Sequence, residues 1–270
     1  MLTTRLATRL ATLLLTVLVA LPLHADPEPP LAEQATAQPV LHPALAGYDA
    51  LLRAHVDPHG YVDYPALAQD TAALDAYIAY LEQETQTWPQ AIKVNPDHKL
   101  ATLINAYNAF TLRLILDHYD DGNLQSIMDI AAGKPWDLRR WNLLGQTITL
   151  NELEHEIIRK QFNEPRIHWA VNCAALSCPP LRNSAYLGNQ LDQQLAEQEA
   201  YVFNFAHPRF AQRTPNGTSG GAAVTKLLDW YATDWPDAKA HARTHLGLPA
   251  NAPITFLNYD WCLNSVKNRP

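Results

Sequence analysis

The chain has few cysteines, few charges and no basic tract. Three cysteines in 270 residues are too few for a disulfide-dense mini-scaffold, and their odd number leaves at least one thiol unpaired within a monomer. Charged residues make up 17% of the chain, and 20 Lys and Arg stand against 27 Asp and Glu, a net charge of −7. No run of Lys or Arg supplies the electrostatic footprint of a nucleic-acid binder, so no nucleic-acid partner is expected. The apolar run from Leu10 to Leu23 is about 14 residues long, short of the roughly 20 that a bilayer-spanning helix needs. What the chain does have is 47% hydrophobic residues, which excludes wholesale disorder and provides for a buried core.

Arg5 and Arg9 precede that apolar run and Leu23-His24-Ala25 close it, the layout of a cleavable secretory signal. Cleavage after Ala25 would leave 245 residues with net charge −9 and no stable membrane insertion. A periplasmic or secreted location follows as an expectation, and with it an oxidising compartment in which two cysteines can persist as a disulfide. Five prolines between Asp26 and Pro43 mark residues 26–46 as a flexible Pro/Ala-rich leader. Residues 47–270 then read as one domain, with TPNGTSGG, Thr214 to Gly221, as an exposed loop.

Three segments place polar groups where apolar ones are expected. Asn95-Pro96 offers an N-cap followed by proline at the first helical position, and Leu100, Leu103, Tyr107, Phe110 and Leu114 recur at spacings of three and four. The spacing predicts a central helix from about Pro96 to His118, with Asn108 inside its apolar arc and Asn105 near the edge. Two buried amides must find partners: either they satisfy the backbone of a neighbouring loop or they line a site. Thr149-Leu150-Asn151-Glu152 fits a capping box opening a second helix, on which Glu154 falls between Ile157 and Ile158. A carboxylate there requires either a buried Arg or His partner or a catalytic role. His155, at the edge of that face, reads as a boundary histidine.

Arg166 to Cys173 reads as a strand from its β-branched and aromatic content, with Ile167, Trp169, Val171 and Cys173 on one face and His168, Ala170 and Asn172 on the other. On a strand Cys173 points away from His168, so a His168 to Cys173 dyad would need a turn at Asn172, and Glu154 or the helix asparagines are easier partners for His168. Cys173 and Cys178 are five positions apart, with Pro179-Pro180 behind them, and a loop there permits a disulfide. No second Cys or His pair at ligand spacing supports a zinc site, the eleven histidines read as scattered, and no metal or cofactor is expected. Trp230, Trp235 and Trp261 read as packing residues.

Gly60-Tyr61-Val62-Asp63-Tyr64, Asn105-Ala106-Tyr107-Asn108-Ala109-Phe110, Leu150-Asn151-Glu152-Leu153-Glu154-His155, RIHWAVNCAALSCPP from Arg166 to Pro180, and Asp260-Trp261-Cys262-Leu263-Asn264 together resemble the DUF547 family. The resemblance runs from about Gly47 to Asn264, and Cys262 departs from the residue usual there. It implies that Asn105, Tyr107, Asn108, Glu154, His168, Asn172, Cys173 and Cys178 form one constellation. A central helix followed by a His-bearing strand is also similar to papain-like and transglutaminase-like enzymes, although there the nucleophilic Cys opens the helix.

These readings lead to a helix-rich α+β or mixed α/β fold with a short central sheet. Strands are expected near Gln146–Thr149 and Ile254–Tyr259. One expectation for function is a cysteine-dependent hydrolase or acyl transferase, with Cys173, His168, Glu154, Asn105 and Asn172 as catalytic groups and Tyr107 and Asn108 against the substrate. The other is a non-catalytic binding or structural domain pinned by a Cys173–Cys178 disulfide. Either would take a small-molecule or peptide ligand.

Overall fold

The computed structural model describes residues 41–88, 94–120, 122–215 and 220–269. The secretory signal and most of the expected leader therefore lie outside the described residues, as does the centre of the Thr214 to Gly221 loop. The first described helix, α1 (Pro43–His55), begins within the stretch read as leader, with Pro43 in its first turn. A short α2 (Tyr64–Leu67) and then α3 (Ala72–Thr85) follow, and α1 packs against α3.

The expected central helix is α4 (Pro96–Leu116). Its Asn95 side chain accepts from the His98 N–H at 3.0 Å, so the predicted cap is formed. Almost every side chain from Leu100 onward is buried, including Asn105 and Asn108. The main core surrounds this helix and is built from α1, α3, the hairpin β1 (Trp141–Leu143) with β2 (Gln146–Ile148), and the segments after it. Leu144 and Gly145 both adopt positive φ, as a two-residue hairpin turn requires.

The predicted capping box is also present: the Glu152 N–H donates to Thr149 Oγ1 and the Thr149 N–H to Glu152 Oε2, both at 2.9 Å. The helix it opens is wound wide. Glu152–Ile158 is a π-helical turn that closes with the Arg159 N–H on the Glu154 carbonyl and continues as α5 (Arg159–Gln161). Leu153, Glu154, Ile157 and Ile158 are its buried face, as the apolar spacing predicts.

Beyond α6 (Leu191–Val202) lies a second, smaller core. It is formed by a three-stranded sheet of β3 (Ala211–Thr214), β4 (Gly221–Val224) and β5 (Ile254–Phe256), together with α7 (Leu227–Trp230) and α8 (Ala238–His245). In this sheet β3 pairs antiparallel and β5 parallel with the central β4. The fold is thus helix-rich α+β with two small sheets. No helix among the described residues is long and apolar enough to cross a membrane.

One element differs from expectation. Arg166 to Cys173 is no strand: Pro165–Trp169 is a 3₁₀ turn, and the chain beyond it is irregular. Pro165 at the first turn fixes φ, and the Glu164 side chain accepts from the Arg166 N–H at 3.1 Å, so the local chemistry is that of a helix start. The carbonyls of Trp169 and Ala170 are satisfied by side chains, so no neighbouring strand is needed. Neither small sheet includes this segment, and the expected strands near Gln146 and Ile254 fall in different sheets.

Candidate functional site

Irregular buried backbone needs side-chain partners, and the segment from Ala170 to Leu187 obtains them from amides. Asn108 donates to the Ala170 carbonyl at 3.0 Å and accepts from the Asn172 N–H at 2.8 Å. Asn105 does the same one turn earlier, donating to the Tyr186 carbonyl at 2.8 Å and accepting from the Tyr186 N–H at 2.9 Å. Gln194 clasps Ala185 and Leu187, and Gln198 donates to both Trp169 and Pro180 carbonyls. Of the two roles open to the helix asparagines, the structure shows the backbone-satisfying one.

Asn172 holds the loop that carries the cysteines. Its amide donates to the Pro179 carbonyl at 2.7 Å and its oxygen accepts from the Ala174 N–H at 2.9 Å, which fixes Ala174 at a positive φ. Within this loop Cys173 and Cys178 are disulfide-bonded, with Cα atoms 6.0 Å apart. Cys262 is the free, exposed thiol, as the odd count anticipated. Gly60, at φ +79°, backs the loop so closely that a Cβ would lie 2.5 Å from the Pro180 Cα, a contact only glycine allows.

The disulfide borders a cleft of about 210 Å³. Glu154 and Tyr107 line it, and Trp136, Trp230, Tyr259 and Trp261 supply most of its aromatic surface. Glu154 is only 6% exposed, and its Oε1 accepts from the Tyr231 hydroxyl at 2.8 Å. Burial raises the Tyr107 phenol well above its usual range and the nearby Glu154 charge raises it further; the same two causes act on Tyr231 and Tyr259. These phenols therefore stay protonated and serve as donors. The Tyr259 hydroxyl lies 3.0 Å from Cys173 Sγ, and His155 Nδ1 lies 4.0 Å from Glu154 Oε1.

Behind the cleft, His168 stands in a different set of contacts. It is 2% exposed, stacks on Tyr231 with ring centroids 3.9 Å apart, and points Nε2 at Asp234 Oδ2 over 2.7 Å. Arg159 grips the same carboxylate with two hydrogen bonds of 2.9 and 2.7 Å. Burial on its own would raise the Asp234 carboxyl, but the bonds from Arg159 and His168 outweigh it and bring the pKa down to about 2. Burial lowers the pKa of His168, with the Asp234 hydrogen bond opposing. A neutral imidazole donating Nε2–H to an ionised Asp234 satisfies both shifts. Its Nδ1 is buried with no hydrogen-bond partner among the described residues.

Of the sequence-predicted residues, Glu154, Tyr107 and Cys173 meet at the cleft. Asn105, Asn108 and Asn172 do not line it: Asn108 and Asn172 bond the backbone flanking Cys173 and Asn105 bonds that of Tyr186, while His168 bonds Asp234 rather than Cys173 or Glu154. His155, read as a boundary histidine, lines the cleft, as do Trp230 and Trp261, read as packing residues; Trp235 does pack, at 5.6 Å from the His168 ring. Sequence reasoning missed Tyr231, Asp234 and Tyr259. They lie some sixty to ninety positions beyond His168, Tyr231 and Asp234 at a short 3₁₀ turn and Tyr259 in irregular chain, and a carboxylate at Asp234 beside Tyr231 and Trp235 was the available signal.

Residues 92–202 match the family described as "Protein of unknown function, DUF547", while no curated protein and no solved structure matches the chain. The matched stretch runs from just before α4 to the end of α6. It contains the amide clamps, Glu154, His168 and both bonded cysteines, whereas Trp230, Tyr231, Asp234, Tyr259 and Trp261 lie beyond it. That match supports assigning residues 92–202 to the DUF547 family.

Proposed function

We propose that this chain is an exported binding domain that takes a small organic cation, an amine or quaternary ammonium group, into the aromatic cleft. One observation carries the reading: the buried carboxylate of Glu154 sits in a cleft walled by Trp136, Trp230, Trp261 and Tyr259. Aromatic faces attract a cation through their quadrupoles, by about 0.5–2 kcal/mol per ring, and the carboxylate adds a charged acceptor. The Tyr231 hydroxyl holds Glu154, with Tyr107 as a further hydrogen-bond partner, and the carboxylate they orient is the charged acceptor of the cleft. Export is supported by the N-terminal layout of Arg5, Arg9 and the apolar run, and by a disulfide suited to an oxidising compartment. Isothermal titration with tetramethylammonium and with n-butylammonium tests the reading. Saturable binding is expected, weakened about tenfold or more in Glu154→Gln and in Trp230→Ala, with uncharged tert-butanol giving none. Absence of saturable heat with either cation, or binding indifferent to both substitutions, refutes it.

A second reading, a cysteine-dependent hydrolase or acyl transferase, is favoured by Cys173 lining the same cleft as Glu154 and His155. It requires a dithiol to reduce the Cys173–Cys178 bridge with two electrons, after which the Cys173 thiolate attacks an acyl carbon and expels the leaving group. The imidazole at the cleft is His155, since His168 is committed to Asp234. On reduced protein carrying Cys262→Ser, an activated ester probe located by peptide mapping should acylate Cys173 in preference to Cys178; equal labelling of the two sulfurs removes this reading.

A further inference from the structure

One pair of histidines breaks the scattered pattern. His241 and His245 stand one turn apart on α8, a spacing that puts both imidazoles on the same helix face. Asp237 caps this helix, its side chain accepting from the Ala240 N–H at 2.8 Å, so the two histidines ride on a defined element. Facing them, α6 presents Glu199, a buried carboxylate. His241 Nε2 lies 2.8 Å from Glu199 Oε1 and His245 Nε2 lies 3.6 Å from Oε2. One ligand atom from each of the three residues falls within 4.8 Å of the others.

We propose that Glu199, His241 and His245 form a binding site for a divalent transition cation of the zinc class, separate from the aromatic cleft. Two imidazole nitrogens and one carboxylate oxygen suit borderline cations, whereas calcium and magnesium favour all-oxygen shells. Metal-donor bonds of about 2.0–2.1 Å at tetrahedral angles place donor atoms about 3.4 Å apart; His245 Nε2 stands 3.6 Å from Oε2, close to that spacing, and His241 Nε2 would draw back from its 2.8 Å contact with Oε1. Small side-chain adjustments therefore admit the ion. A further contact stands where an outer-shell donor belongs: the Trp169 indole N–H points at Glu199 Oε1 over 3.3 Å and orients the carboxylate. Burial grades from Glu199, buried, through His241, half-buried, to His245, exposed, so the ion is approached from the His245 side and a fourth position opens to water. Such an ion would tie α6, inside the family match, to α8, outside it.

An ion pair between Glu199 and the two imidazoles without any metal is the competing account. The tag-free full chain, with Cys262→Ser to remove the exposed thiol, is stripped with chelator and titrated with Zn²⁺ against a chromophoric competitor. Co²⁺ is then followed by its visible absorption. One equivalent should bind per chain with the intense absorption of four-coordinate cobalt. Affinity should fall about tenfold or more in His245→Ala and in Glu199→Gln, each keeping the parent circular dichroism. Equal affinity in parent and variants overturns the proposal, as does a parent that binds no more tightly than His245→Ala. If Glu199→Gln fails to fold, His245→Ala decides alone, because its side chain is exposed.

Discussion

The core around α4 and the core around the β3–β4–β5 sheet dispose of their polar side chains differently. On the α4 side Asn105, Asn108, Asn172, Gln194 and Gln198 all bond backbone, and they fix the course of the segment from Ala170 to Leu187. On the sheet side Tyr231, Asp234, His241 and His245 meet other side chains: Glu154, His168 with Arg159, and Glu199. The first region uses polarity to hold shape, and the second uses it to assemble charge, beside the cleft at Glu154 and apart from it at Glu199. The family match covers the shape-holding region, while much of the cleft wall comes from beyond it.

If the α4 side is a clamp, releasing it costs most. Asn108→Ala leaves the Ala170 carbonyl and the Asn172 N–H buried without partners, at about 1–3 kcal/mol each. A loss of about 3 kcal/mol in urea unfolding is expected, and a loss below about 0.5 kcal/mol would dissolve the distinction between the two regions. Opening the disulfide should cost less. Five positions separate its cysteines, and the chain-entropy estimate for so short a loop is about 2 kcal/mol, lost in Cys178→Ser. A thiol titration of the unfolded wild type should meanwhile count one free sulfur, Cys262; three would remove the bridge from the account.

On the sheet side the smaller effect is a pH dependence. Burial depresses the His168 pKa, so the unfolded chain binds that proton more readily and stability falls as pH drops below about 6.5 toward the folded value. His168→Gln, which can still donate to Asp234, should lose less stability between pH 7 and pH 5 than wild type. Asp234 does not enter that window: its carboxyl is depressed to about 2, so its contribution is whole above pH 4 and lost only as pH falls through 2. Parallel stability curves for wild type and His168→Gln would show that the imidazole is not neutral where it is buried.

How much of this was legible follows the same divide. The cap at Asn95, the box at Thr149 and Glu152, and the burial of Asn105, Asn108 and Glu154 could be read because local spacing determines them. The partners could not, since an amide announces that it needs a partner without saying which loop supplies it. Arg166 to Cys173 was misread because Ile167, Trp169 and Val171 carry strand-forming side chains, while Pro165 and Glu164 decide the local backbone. Tyr231 and Asp234 sit in a short 3₁₀ connection whose sequence has no period to read. The His241 and His245 pair does have helical spacing, but the spacing points to a site only once Glu199 is seen across from it.

The least disruptive test of the comparison is Trp230→Ala. Trp230 is 47% exposed, the large hydrophobic side chain with most to lose in binding and least in folding. It leans on Tyr259 and Trp261 at centroid distances of 4.7 and 6.1 Å, contacts that line the cleft without filling the core beneath it. About half of its surface is covered, so its removal should cost about 1 kcal/mol, well below the loss from truncating a core tryptophan. A fall of 2 kcal/mol or more would mean that the aromatic wall is core after all, and that the sheet side, like the α4 side, holds shape.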